Sequence, residues 1–542
     1  MTSDRAHAAL LTALRRPGAC AGQPQSAQLR QTHISSLLFA GPLVFKLKRP
    51  VALPFVDFSS VDKRHAACLE ELRLNRRTAP QWYQAVVPVL DAGQGAFIPA
   101  PGQPAPPRQL RDWAVRMHRF DDQGLVSTLA ASGQLGAVQV ATLAAAVAAF
   151  HNSLPPSPAA FGGADALQAV VAANLDELAT LLARPPWQGR PGVEDAAATV
   201  AGLQTWSAHQ ATRLAPDIER RRRAGQVREG HGDLHLANVV RADGAPVLFD
   251  ALEFDPALRH IDVVGDMAFV FMDLLAAGLP RLAWRLASAW LEATGQHDGL
   301  PLLAWWAAHR AAVRAKVALL SASPAASLPA ALLRYLGVAG DLCAPLAAPP
   351  LLVLTCGLSG SGKSVAAAAL AERLGGIRLR SDVERKRLAG LAPSERGGPA
   401  LYTAQAGART YVRLQELAAA ALAAGVPVVV DAASLQRQER AAMQAVAAAA
   451  GSGFRLLLCE APDDVLAQRV AGRLATGHDA SDATPALLAL QRQWVQWPGA
   501  DEAAHTWRLD TAAPLPAVLA QVDALPILAG LPHDTPRKPV PP

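Results

Sequence analysis

The chain has 542 residues, of which 51% are hydrophobic and 18% charged, and a formal net charge of +6. That length exceeds a single core and predicts about two to four domains, while the sparse charge suits globular domains with generous interiors. The mild charge, with no basic stripe of interleaved aromatics, argues against a nucleic-acid surface, and the Arg220–Arg223 run reads as a solvated helix end.

In chain order, residues 1–24 read as a short helix and a loose entry. Asp4 and the Arg15–Arg16 pair interrupt its apolar stretch, so a signal peptide is not expected. Ile34–Phe39 and Leu43–Lys48 read as two strands split by Ala40-Gly41-Pro42, a hairpin. Asp62–Thr78 reads as a charged amphipathic helix, and Trp113–Phe120 as a strand after a Pro-rich loop at 99–107. From about 123 to 225 the pattern is helical, with long Ala/Leu-rich segments. Leu248–Phe249 reads as a short strand, and helices then resume to about 338. This order, a small sheet followed by a helical mass, predicts a two-lobed first domain over 1–340.

Residues 341–350 carry three prolines and read as a linker. Over 351–530 short apolar strands alternate with helices: Leu351–Cys356, Ser364–Leu374, Tyr411–Ala424, Val426–Val430, Arg437–Ala450, Phe454–Cys459 and Pro462–Ala475. This alternation predicts an α/β domain whose parallel sheet is covered on both faces. The tail 531–542 is Pro-rich and reads as disordered. Apolar runs such as Ala268–Leu279 are too short to span a membrane, and that one carries Asp273. Cys20, Cys68, Cys343, Cys356 and Cys459 show neither metal-type spacing nor a disulfide framework, so a reducing cytoplasm is the default.

The most specific motif follows the Leu351–Cys356 strand. Gly357-Leu358-Ser359-Gly360-Ser361-Gly362-Lys363-Ser364 matches G-x-x-x-x-G-K-[ST] between a strand and a helix. Such glycines let backbone N–H groups turn inward around phosphates, and the helix N-terminus adds a favourable dipole. Lys363 is expected to reach the outer phosphates of ATP and the Ser364 hydroxyl to ligate Mg²⁺. Asp431, after Val428–Val430, is the candidate second Mg²⁺-side acid, or else a plain helix cap. Asp382, at a strand end with Arg385, Lys386 and Arg387 one helical turn on, is the candidate base for an acceptor hydroxyl. Arg469 and Arg473, four apart, would bring charge to the transferring phosphoryl from a lid that includes Gly477–Asp482; salt bridges would explain them equally.

A second constellation lies upstream. In His231-Gly-Asp233-Leu-His235-Leu-Ala-Asn238, Asp233 offers a base and Asn238 a metal oxygen, and Asp250 after Phe249 offers another. A base on an H-x-D-x-x-x-x-N loop with a metal Asp on the next strand makes up a protein-kinase-like catalytic site.

On these motifs, residues 350–515 resemble the small P-loop kinases that include polynucleotide 5′-kinases, zeta-toxin-like kinases and gluconate-kinase-like enzymes. Residues 30–340 resemble the aminoglycoside phosphotransferase and choline-kinase branch of the kinase-like superfamily. That resemblance implies an α+β bilobal protein-kinase-like fold, with a strand lysine, Lys46, pairing a helix glutamate. Glu71 is the expected partner, with Glu70 the alternative, and Lys48 shares the strand face of Lys46. It further implies an adenine hinge around Met117, Asp266 as a brace of the catalytic loop and Glu253 as an extra metal neighbour. No G-x-G-x-x-G loop is present, and Phe39-Ala-Gly41-Pro is a poor stand-in. The joined pair, with Leu72–Pro80, is similar to a group of bacterial fusion proteins and implies two ATP sites. The expected partners are thus a nucleoside triphosphate and a small-molecule hydroxyl acceptor, with no membrane and no nucleic acid. Two rivals stand beside this: a silent kinase-like module gating the P-loop half, and a nucleic-acid end kinase.

Overall fold

The computed structural model describes residues 3–53, 56–91, 93, 95–102, 109–322, 327–346, 348–393, 395–476 and 484–528. The expected tail at 531–542, the lid at 477–482 and most of the Pro-rich loop lie outside the described residues. The chain forms two compact units. The first comprises Met1–Leu135, Ala149–Asp273 and Trp305–Leu342; the second comprises Gly136–Ala148, Leu274–Ala304 and Cys343–Pro542.

The first unit opens with a six-stranded antiparallel sheet in the order Gln28–Gln31, Ser35–Ala40, Leu43–Lys48, Gln109–His118, Tyr83–Asp91, Ala96–Phe97. The expected hairpin is present: Ala40 faces Leu43 across a two-residue turn in which Gly41 takes a φ of 58°. Three strands of this sheet escaped the sequence reading, among them the two-residue Ala96–Phe97. Gln28–Gln31 is polar and largely exposed, so it carries no apolar alternation. Tyr83–Asp91 contains Pro88, which reads as a breaker, yet Pro88 pairs with Trp113 beside an irregularity at Val89/Leu90.

Between these strands the helix Val61–Asn75 starts where the Ser60 hydroxyl accepts the Lys63 N–H at 3.2 Å. It packs on the Gln109–His118 strand and turns Cys68, Glu71, Leu74 and Asn75 into the interior. The remainder of the unit is mostly helical, as expected, and a small hairpin, Val239–Ala242 with Ala245–Leu248, precedes Phe249 and Asp250.

The second unit holds a five-stranded parallel sheet in the order Ile377–Arg380, Val428–Asp431, Leu351–Cys356, Gly453–Glu460, Thr506–Asp510. Alternate residues face opposite layers. Val353, Val429, Leu457 and Leu509 pack against the helix Lys363–Leu374 through Ala366, Ala367 and Leu370, whose small alanines let helix and sheet approach closely. Leu352, Leu354, Val428, Val430 and Leu456, on the other layer, are fully buried. Leu351–Cys356 is central, and later strands are added on both sides of it. Its carboxyl end therefore lies at the switch point where parallel α/β sheets open a ligand crevice.

The sequence reading placed 136–148 and 274–304 in the first domain, but both segments group with the second unit. The physical reason is visible in the helix Pro280–Thr294. It packs on the Lys363–Leu374 helix and on the edge strand Ile377–Arg380, while its Ala/Leu-rich text carries no compositional break.

Candidate active sites

In the second unit the P-loop joins the central strand to the helix Lys363–Leu374. Its glycines are required by shape. Gly357 and Gly360 take φ of 147° and 86°, and a Cβ on Gly360 would lie 2.7 Å from the Leu466 carbonyl oxygen. Lys363 donates to the Leu358 carbonyl at 2.7 Å, across the loop. Burial pulls its ammonium below the ordinary range, against the opposing pull of Asp431.

Lys363, Ser364, Asp382, Asp431 and Arg473 line one cavity of about 710 Å³, together with Ser359, Gly360 and Gly362. Asp431 ends its strand 5% exposed, and its Oδ2 has no hydrogen-bond partner. A buried carboxylate oxygen without a hydrogen bond and the Ser364 hydroxyl, lining the same cavity, are a donor set that fits Mg²⁺, which binds through one or two protein oxygens plus phosphates. Asp382 lies in the first turn of the helix Ser381–Leu388 and pairs with Arg385. The Arg385 guanidinium lies 5.1 Å from the centroid of the Tyr402 ring, and its buried Nε is unpartnered.

Arg469 and Arg473, expected to act together, are separated in role by geometry. Arg469 donates to the Thr511 carbonyl at 2.7 Å and the Gly360 carbonyl at 3.4 Å, so it braces the P-loop backbone. Arg473, one turn on, lines the cavity. Sequence reasoning missed Gln491, whose Oε1 accepts the Ser359 N–H at 2.9 Å. It also missed Arg380 and Tyr402 in the cavity wall. Gln491 is 132 positions from its partner and belongs to no motif, so no local signal points to it.

In the first unit the expected residues also converge. Lys46 Nζ lies 2.8 Å from Glu71 Oε1 and also pairs with Asp250. Glu71, not Glu70, is the partner: Glu70 pairs with Arg73 and Arg259 near the surface. Lys48 takes the other Glu71 oxygen at 2.6 Å and pairs with Glu253. Glu253, expected beside a metal, is thus engaged by Lys48. Burial raises the Glu71 carboxyl, but Lys46 and Lys48 outweigh it and hold the group low.

Asp250 takes a φ of 62°, a left-handed conformation that an Asp tolerates at a cost, and its neighbours over-determine it. Its N–H faces the Tyr83 hydroxyl at 3.3 Å, and the next N–H, of Ala251, donates to Asn75 Oδ1 at 2.9 Å. Asn75 lies one turn after Glu71 on the same helix face, a spacing visible in the sequence but not singled out there.

The catalytic-type loop is held from both sides. Asn238 Nδ2 donates to the Asp233 carbonyl at 2.9 Å and to Asp233 Oδ2 at 3.2 Å. The fully buried Asp266 carboxylate accepts the N–H groups of His231 at 2.5 Å and Gly232 at 2.8 Å. His231 Nε2 faces the Phe249 carbonyl at 2.9 Å, so Nε2 carries the proton. Burial raises the Asp233 carboxyl, yet His235 and then Arg314 hold it well below the usual range. A three-residue turn joins Gln28–Gln31 to Ser35–Ala40. It is Thr32–Ile34, and Arg49 clamps it by donating to the carbonyls of Thr32 at 3.0 Å and His33 at 3.2 Å. Met117, the expected hinge, is 5% exposed and packs in a cluster with Val44, Trp82, Tyr83 and Phe249.

Among the described residues, no group of three or more His, Cys, Asp and Glu side chains gathers as a metal cage, and no helix is long and apolar enough to cross a membrane.

The AAA domain family model matches residues 352–498, the P-loop and its surrounding sheet. Over nearly its whole length the chain is similar to uncharacterized proteins of Mycobacterium tuberculosis and Mycobacterium bovis. They are 28% identical over 516 residues, covering 92% of this chain and 95% of theirs. Among solved structures, a gluconokinase from Sinorhizobium meliloti is 25% identical, with a TM-score of 0.25, and covers 32% of this chain and 90% of its own. A putative kinase from Chloroflexus aurantiacus is 23% identical, TM-score 0.27, covering 32% and 97%. The Mycobacterium tuberculosis APS kinase, in complex with AMPPNP and APS, is 24% identical, TM-score 0.25, covering 32% and 96%.

Proposed function

We propose that the chain is an ATP- and Mg²⁺-dependent phosphotransferase whose second unit transfers a phosphoryl group to the hydroxyl of a small molecule. The observation that carries this reading is the single cavity shared by the P-loop, Asp382, Asp431 and Arg473. The P-loop N–H groups and Lys363 would hold the triphosphate, with Ser364 and Asp431 as metal ligands. Mg²⁺ supplies charge neutralisation at the phosphates. Asp382 would take the acceptor proton, and Arg385 and Arg380 suit an anionic group on the acceptor. Arg473 would balance charge on the transferring group. Catalysis would rest on positioning and charge rather than on covalent steps. The mycobacterial relatives name no acceptor; a metabolite screen reading ADP release identifies it, and a Lys363→Ala chain that keeps full turnover refutes the reading.

For the first unit we propose a second phosphotransferase site of the aminoglycoside phosphotransferase type. Asp233 would be the base, Asn238 and Asp250 the metal ligands and Lys46 with Glu71 the phosphate clamp. A second reading, a silent module, is favoured by the three-residue Thr32–Ile34 turn clamped by Arg49. Mg²⁺-dependent nucleotide binding by the full chain carrying Lys363→Ala separates the two. Residual binding abolished by Asp250→Asn supports the active site, and its absence supports the silent module.

A further inference from the structure

We infer that Glu292 is a positioning residue of the P-loop site, so that a helix from the middle of the chain completes the catalytic centre of the second unit. This rests on reading the P-loop as the ATP site. Glu292 lies near the end of the helix Pro280–Thr294, which covers the sheet edge at Ile377–Arg380. Its Oε1 accepts from Arg378 Nε at 3.0 Å and Nη2 at 2.9 Å. The remaining nitrogen of that guanidinium, Nη1, donates to the backbone carbonyl of Ser364 at 3.1 Å. Arg378 therefore ties the residue that would ligate Mg²⁺ to Glu292.

The other carboxylate oxygen, Oε2, lies 3.8 Å from Arg380 Nη1, and Arg380 Nε lies 3.9 Å from Asp431 Oδ2. Arg378 and Arg380 are two apart on one strand and so share a face. One carboxylate thus offsets two neighbouring guanidinium charges and holds each at a set distance from a metal-ligand residue. The anchor is itself fixed, because Arg387 Nη2 donates to the Glu292 carbonyl at 2.5 Å and Ser288 Oγ accepts the Arg378 N–H at 3.2 Å. Without the Glu292 charge, Arg380, already 3.9 Å from Asp431 Oδ2, is drawn closer to it and competes there with the cation. Arg378 also loses the geometry that orients Ser364.

The test titrates a fluorescent ATP analogue into the full-length protein carrying Asp250→Asn, which silences the proposed first-unit site, over a range of MgCl₂ concentrations. Every further variant is made in that background. Glu292→Gln is expected to raise the half-saturating Mg²⁺ about tenfold, and Glu292→Asp to restore part of that loss. Arg285→Ala removes the ion pair of the same helix with Glu372, at 2.6 Å, and is expected to leave the Mg²⁺ requirement unchanged. A Mg²⁺ response unaltered in Glu292→Gln, or shifted equally by Arg285→Ala, overturns the inference. If Glu292→Gln does not fold, Glu292→Asp carries the test, with an intermediate shift expected and no shift overturning it. Lys363→Ala separates the two levels: if it binds the analogue as the Asp250→Asn parent does, the P-loop reading itself fails.

Discussion

The Lys46 ammonium lies 2.8 Å from a Glu71 carboxylate that is 25 residues further on, and Glu71 is fully buried. Because Lys48 takes its other oxygen, one carboxylate serves two buried cations. Glu71→Gln should therefore destabilise the first unit by about 3 kcal/mol, the usual cost of breaking a buried ion pair. The folded-state carboxyl is held below its ordinary 4.5. Its contribution is present above pH 4.5 and fades as pH falls below it, so wild type and variant should converge in acid. Thermal melts between pH 7 and 3 check this.

Asp266 is a second acid-sensitive brace. Burial raises its carboxyl, but the bond with His151, the charges of His151 and His231 and the His231 N–H bring it to about 2. A carboxyl depressed from 3.8 to about 2 stabilises the fold by about 2 kcal/mol above pH 4, and that stability is lost as pH falls toward 2. Asp266→Asn keeps an oxygen for one of the two backbone donors, His231 N–H and Gly232 N–H, and turns an amide N–H toward the other. It should cost about 2–3 kcal/mol at pH 7, with less difference from wild type at pH 3 in denaturant titrations.

Lys363→Ala removes the cation that bridges the P-loop. The expected loss in kcat/KM for ATP is at least about a hundredfold, in the range measured when one charge-stabilising donor is removed. The melting temperature without nucleotide should change little, and the rise given by MgATP should shrink to whatever the first-unit site contributes, which Asp250→Asn would remove. Turnover and differential scanning fluorimetry read the two arms.

Gln491 holds the Ser359 N–H from a helix far along the chain. Gln491→Glu keeps the acceptor but places an anion beside the phosphate site, and should weaken nucleotide binding about tenfold. Gln491→Ala, which adds no charge, should change it less than about threefold. Equal effects in the two variants would show that the hydrogen bond, not the charge, matters; calorimetric titration of the nucleotide measures both.

The P-loop was legible because its chemistry is local: eight consecutive residues between one strand and one helix make the whole cradle. Asp233, Asn238 and Asp250 could be nominated for the same reason, lying on one loop and just after the hairpin that follows it. Glu71 could be named only as one of two adjacent glutamates, and burial chose between them. The Tyr83–Asp91 strand was missed because Pro88 signals a break, while pairing with Gln109–His118 tolerates it at an irregularity.

By itself the sequence determined the order of a small antiparallel sheet, a helical mass and a P-loop domain with a parallel sheet, since periodicity and glycine spacing are properties of short segments. Only the tertiary structure decided that Arg469 braces carbonyls rather than lining the cavity, and that Gln491 reaches Ser359. It alone brought residues 274–304 into the second unit, with Glu292 against Arg378 and Arg380. Those choices depend on which long-range surfaces bury each other, and charge pairs formed across tens to hundreds of residues leave no pattern in the local sequence.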